Sequence, residues 1–137
     1  MCMRAPRTKK RVLVVEDDAV IGAMLQELLT PEYEVYVASG GAEAVARARS
    51  EEFDLLLTDF NLPDIDGFEV ARNIRRTTRN IKTVLHTASI LSLPAVAPPS
   101  HIDVVVDKGI HASDLLSLLA SLLRDESGKT AGYSVPA

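Results

Sequence analysis

A doubly wound α/β fold on a five-stranded parallel sheet is the architecture this sequence predicts, and three observations predict it. Short β-branched or leucine-rich runs alternate with longer segments of helical pattern along the chain. The runs at 12–15, 55–57 and 104–106 are apolar on consecutive residues, as strands covered by helices on both faces must be. Right-handed crossovers between parallel strands then make one twisted sheet the economical arrangement. With 137 residues, 47% apolar and 25% charged, there is room for one such domain and not for a second of full size.

The elements follow in order. RVLVV (11–15) is a strand, AVIGAMLQELLT (19–30) a helix, YEVYVA (33–38) a strand and GAEAVARARSEE (41–52) a helix. FDLLLT (53–58) is the third strand, GFEVARNIRRTT (67–78) the third helix and KTVLHT (82–87) the fourth strand. IDVVV (102–106) and ASDLLSLLASLL (112–123) close the series. Asp18 and Asp66, each just ahead of a helix, are expected to cap it. Between the fourth and fifth strands, Pro94, Pro98 and Pro99 each cost a helix interior about 3 kcal/mol, so the fourth helix is expected to be short, irregular or absent. In the last helix, leucines 115, 116, 118, 119, 122 and 123 cover an arc of about 160°, wider than one buried stripe needs. Two readings stay open: the extra leucine faces a second copy in a homodimer, or it covers core that the reduced fourth helix leaves bare.

Charge divides the chain. Arg4, Arg7, Lys9, Lys10 and Arg11 stand in the first eleven residues without an acid, whereas from Val12 onward ten positive residues face nineteen acidic ones, a balance of −9. Residues 1–10 are read as a basic, disordered arm, 11–124 as the folded domain, and 125–137 (from DESGK to the end) as a flexible tail. So acidic a body disfavours nucleic acid and anionic lipid as ligands of the fold. The single cysteine, Cys2, makes no internal disulfide, which fits a reducing cytoplasm. No apolar run approaches the ~20 residues that span a bilayer or the length of a signal peptide's apolar core.

Parallel strands end at one edge of their sheet, where ligands bind. There the sequence sets Glu16, Asp17 and Asp18 after the first strand and Asp59 after the third. It sets Thr87 at the end of the fourth and Asp107 and Lys108 after the fifth. In the flavodoxin-like order 2-1-3-4-5 the first and third strands are neighbours, bringing Glu16 and Asp17 within a few ångströms of Asp59. Such a carboxylate cluster stays ionised beside a cation, and hard oxygen ligands suit Mg²⁺. A carboxylate flanked by a metal and by an ammonium such as that of Lys108 is equipped to attack a phosphoryl group, and Thr87 can donate to one of its oxygens. His86, His101 and His111 show no metal-ligand spacing and are read as structural or exposed.

These residues resemble the receiver domain of bacterial two-component response regulators over about 10–124. DFNLPDIDG (59–67) is similar to that family's phosphoacceptor aspartate and the loop that follows, and Glu16-Asp17 to its acid pair. Thr87-Ala88 is similar to its switch hydroxyl and the small residue after it, and Lys108 to its phosphate-facing lysine. The resemblance implies that Asp59 accepts a phosphoryl group from a sensor histidine kinase or phosphotransfer protein. It implies Mg²⁺ held by Glu16, Asp17, Asp59 and the Asn61 backbone carbonyl, with Asp17 the closer ligand of the acid pair. Such a chain is a cytoplasmic signalling module rather than an enzyme with an external substrate, and it catalyses its own phosphorylation and dephosphorylation. Its output is a changed partner-binding face on the fourth helix, fifth strand and last helix. The chain departs from the family pattern on that face: Val105 stands where an inward-turning aromatic is usual, and Gly109 replaces the proline after the lysine. A phosphorylation-independent interaction module is therefore the alternative. A haloacid-dehalogenase-type phosphatase is set aside because its Asp-x-Asp is missing after the first strand, and a flavodoxin because no Ser/Thr/Gly-rich phosphate loop follows it. After the last helix about a dozen residues remain, too few for an output module, so a stand-alone receiver or a fragment of a longer protein is expected.

Overall fold

The computed structural model describes residues 9–88 and 101–124. In chain order they form β1 (Arg11–Val15), α1 (Ala19–Leu29), β2 (Glu34–Ala38), α2 (Gly41–Ser50) and β3 (Leu55–Asp59). α3 (Gly67–Thr77), β4 (Lys82–Thr87), β5 (Val104–Asp107) and α4 (Ala112–Arg124) follow. The strands make one parallel sheet in the order β2-β1-β3-β4-β5, as the sequence predicts. The expectations about the fourth helix, the extreme N-terminus and the tail fall on 89–100, 1–8 and 125–137, outside the described residues.

Side chains of a strand alternate between faces, so the consecutive apolar runs feed two cores at once. Leu13, Val15, Leu56, Leu85 and Val105 point to one face, where Ala44 and Ala48 of α2 and Val70 and Ile74 of α3 cover them. Val12, Val14, Leu55, Leu57, Val84 and Val106 point to the other, against Leu25 and Leu29 of α1 and Leu115 and Leu119 of α4. Central β3 is buried along its whole length, while edge strand β2 is half-buried through its middle. Each large aliphatic side chain removed from water contributes roughly 1.5–3 kcal/mol.

The wide leucine arc of α4 has a structural reading. Leu115, Leu119 and Leu122 are buried, and Leu116, Leu118 and Leu123 are half-buried and packed against the same core. Among the described residues, exposed large apolar side chains lie elsewhere, at Val20 and Met24 of α1, 69% and 61% exposed.

Candidate functional site

The strand register brings the sequence-predicted residues to one edge. Val15 is level with Thr58, Asp59 with His86, and Thr87 with Asp107. Glu16 continues β1 by donating its backbone N–H to the Ala38 carbonyl at 3.0 Å. Glu16 is buried at 3% exposure and Asp59 at 6%, while Asp17 is exposed. Thr87 is buried at the end of β4, and its carbonyl accepts from the Lys108 N–H at 2.7 Å, which fixes the start of the loop after β5.

Lys108 binds two of the acids together. Its Nζ lies 2.9 Å from Glu16 Oε1 and 2.9 Å from Asp59 Oδ2. Burial pulls the ammonium toward neutrality, but the hydrogen bonds to Asp59 and Glu16 outweigh it and hold its pKa above the usual lysine value. For Glu16 the balance is the reverse: burial, abetted by the charge of Asp59, raises its pKa despite the Lys108 hydrogen bond. Carboxylate oxygens of Glu16, Asp17 and Asp59 lie within 4.8 Å of one another. Three hard oxygen donors, one of them facing solvent, with a single ammonium between the other two, fit a divalent cation with room for water. Asn61, whose carbonyl the sequence reading added to this set, is an exposed residue of the β3–α3 loop.

The loops around the edge are held by carboxylates with structural tasks. Asp18 caps α1, accepting from the N–H groups of Val20 and Ile21 at 2.9 and 3.1 Å, and Asp66 caps α3, accepting from Glu69 at 2.9 Å. Asp64 was legible only as part of a motif, yet it reaches across to α2. It accepts from Gly41 N and Ala42 N at 2.9 and 2.8 Å, supplying the cap that Gly40 lacks. The backbone N–H groups of Ala42, Gly41 and Ile65 pull its pKa down to about 2. Gly67 closes the loop by donating to the Phe60 carbonyl at 2.8 Å, and a Cβ there would collide with the Asp59 carbonyl oxygen and Leu85. His86, beside Asp59 on β4, is 5% exposed. Burial, with the Lys108 charge adding to it, pushes its pKa down to about 4. Of the two departures after β4, Val105 is buried in the core under α2 and α3, and Gly109 donates its N–H to Asp107 Oδ1 at 2.7 Å.

The family model for the response regulator receiver domain matches residues 12–120. The cell cycle response regulator CtrA of Brucella ovis is 38% identical over 66 residues, which is 47% of this chain and 28% of that protein. The chain thus matches well under a third of the length of that curated relative. Among solved structures, the response regulator TrrA of Thermotoga maritima in complex with Mg²⁺-BeF superposes with a TM-score of 0.74 at 32% identity, covering 82% of this chain and 98% of that one. A CheY-like receiver domain from Methanospirillum hungatei superposes with a TM-score of 0.78 at 25% identity, covering 88% and 98%.

Proposed function

The chain belongs to the response regulator receiver domain family, and on that premise we propose that it is a two-component signalling receiver whose phosphoacceptor is Asp59. One observation carries the reading: Asp59 is a buried carboxylate with one oxygen held by Lys108 and with Glu16 and Asp17 oxygens beside it. An Asp59 oxygen attacks phosphorus, an acyl phosphate bond forms, and the bond from phosphorus to the donor's imidazole nitrogen breaks and leaves the electron pair on that nitrogen. The donor is a phosphohistidine of a sensor kinase or phosphotransfer protein. Glu16, Asp17, Asp59 and the Asn61 carbonyl would hold Mg²⁺, which when bound would supply positive charge against the phosphoryl oxygens. Lys108 then exchanges its Asp59 contact for a phosphoryl oxygen, and the Thr87 hydroxyl donates to another, drawing the end of β4 inward.

The module folds as 11–124, works in the cytoplasm, and turns over no substrate beyond its own aspartyl phosphate. The donor protein docks on α1, whose exposed Val20 and Met24 follow within two turns of the Asp17 edge. The half-exposed Leu116, Leu118 and Leu123 of α4 are the face on which two copies would pair. Beryllofluoride with Mg²⁺, a phosphoryl mimic, is expected to raise the melting temperature of the native chain and not that of Asp59→Asn. No rise in either would count against the reading.

Val105 favours a second reading for the output. Packed in the core where the family has a mobile aromatic, it has no ring to turn inward, which suits an interaction module indifferent to phosphate. Partner affinity that is unchanged in Asp59→Asn would select that reading.

A further inference from the structure

A second charged region lies at the pole opposite the acidic edge. The strands run toward that edge and the crossover helices run back from it, so α3 ends at the far side of the sheet. Residues 72–82 hold Arg72, Arg75, Arg76, Arg79 and Lys82 with no acid among them, half of the ten positive residues that follow Val12 in a body of balance −9. The three arginines within α3, Arg72, Arg75 and Arg76, are spaced i, i+3 and i+4, an arc of about 100° on a helix, and Arg79 follows past the helix end. All four are exposed, and Val70, Ala71 and Ile74 on the other side of α3 are buried. α3 closes at Thr77, and Arg79 follows just beyond its cap Thr78.

Among the described residues only Arg72 of the four has an ion pair, with Glu69 one turn earlier. His101 joins the patch: its Nε2 is 3.3 Å from the Phe68 carbonyl oxygen, and the charges of Arg72 and Arg75 reach its ring. The helix dipole accounts for Arg75 and Arg76 in the last turn. Neither Arg72 nor Arg79 has that explanation.

We infer that this arginine stripe is a docking surface for an acidic segment of a partner protein, one that presents carboxylates along a single side. Guanidinium forks pair with carboxylates two bonds at a time, so neighbouring exposed arginines suit neighbouring acids. The helical part of the stripe is short, about 6 Å from Arg72 to Arg76 at 1.5 Å per residue. A nucleic acid duplex carries a charge every ~1.7 Å and would run off the stripe onto the acidic remainder of the surface. A membrane surface calls for apolar anchors beside the charge, and among the described residues the exposed large apolar side chains, Val20 and Met24, belong to α1 on the opposite face of the sheet.

The full chain, labelled with nitrogen-15, is titrated with an oligoglutamate peptide and followed by amide chemical shifts. Shifts confined to residues around 68–80 and His101, fading as salt is added, are expected. The variant R75E/R76E/R79E is expected to bind at least about tenfold more weakly, because like charges then face each other. R124E, on α4, is expected to bind as the native chain does. The substituted side chains are exposed, and an unchanged melting temperature verifies that the variants fold. Absence of shifts in the native chain, shifts spread over the whole domain, or equal binding by the reversed variant would overturn the inference. Tighter binding of oligothymidylate at the same residues would overturn it in favour of nucleic acid. Asp59→Asn is expected to bind the peptide unchanged, so this inference and the receiver reading fail separately.

Discussion

Lys108 pairs with two buried carboxylates at once, and a cation bound between Glu16, Asp17 and Asp59 would compete for the same work. Lys108→Ala therefore leaves buried negative charge unmatched and is expected to cost about 1–3 kcal/mol without metal. Added Mg²⁺ should recover more stability in that variant than in the native chain, as thermal melting with and without chelator will show. At Gly67 the expected loss from Ala is about 1–3 kcal/mol by overpacking, because a methyl group meets the Asp59 carbonyl and Leu85; denaturant titration checks it. His86 gives a pH dependence. Its pKa is about 4 in the fold against 6.5 when unfolded, so the unfolded chain binds more protons between those values. Its contribution is present above pH 6.5 and is lost as pH falls toward 4, about 3 kcal/mol in all. Denaturant titration of the chelated protein across that window, with His86→Leu flattening the slope, tests the sign. At this scale the sequence was informative where a residue type and a strand end coincide, as for Asp59, Thr87 and Lys108. It was silent where partners meet across the fold: Asp64 capping α2 from twenty-odd residues away, Glu16 sharing Lys108, and His86 lying beside Asp59.

β1 and β3 were legible because each is apolar on consecutive residues, as strands buried on both faces must be. The two roles of the α4 leucines were not separable in sequence, since an arc of leucine looks the same whether it covers core or a neighbour. Packing assigns Leu119, fully buried among β-strand valines, to the core. Leu119→Ala should cost about 2–5 kcal/mol, measured by denaturant titration. α1 is the complementary case, amphipathic with large apolar side chains left outside. Val20→Asp with Met24→Asp is expected to slow phosphoryl transfer from a phosphohistidine protein while leaving acetyl phosphate as good a donor as before. Equal slowing with both donors would move the docking face elsewhere.

Taken whole, the topology gathers Glu16, Asp17 and Asp59 into an acidic edge, and α3 carries its arginines back from that edge. The acidic edge also sets the response to acid. Asp64, with a folded pKa of about 2 against 3.8, contributes stability above pH 3.8 that is lost as pH falls through 2. Glu16 has the opposite sign, its raised pKa disfavouring the fold as pH rises above 4.5. Val105 and Gly109 depart from the family pattern on β5 and the loop after it, outside the cluster of Glu16, Asp17, Asp59 and Lys108, so phosphorylation is expected to be retained and its readout altered. Intact mass after incubation with acetyl phosphate, with Mg²⁺ and with chelator, on the native chain and on Asp59→Asn, tests that most directly. A gain of one phosphoryl group that needs Mg²⁺ and disappears in the variant is the result expected here. An unchanged mass in a folded chain that binds Mg²⁺ and fails to bind beryllofluoride would contradict it.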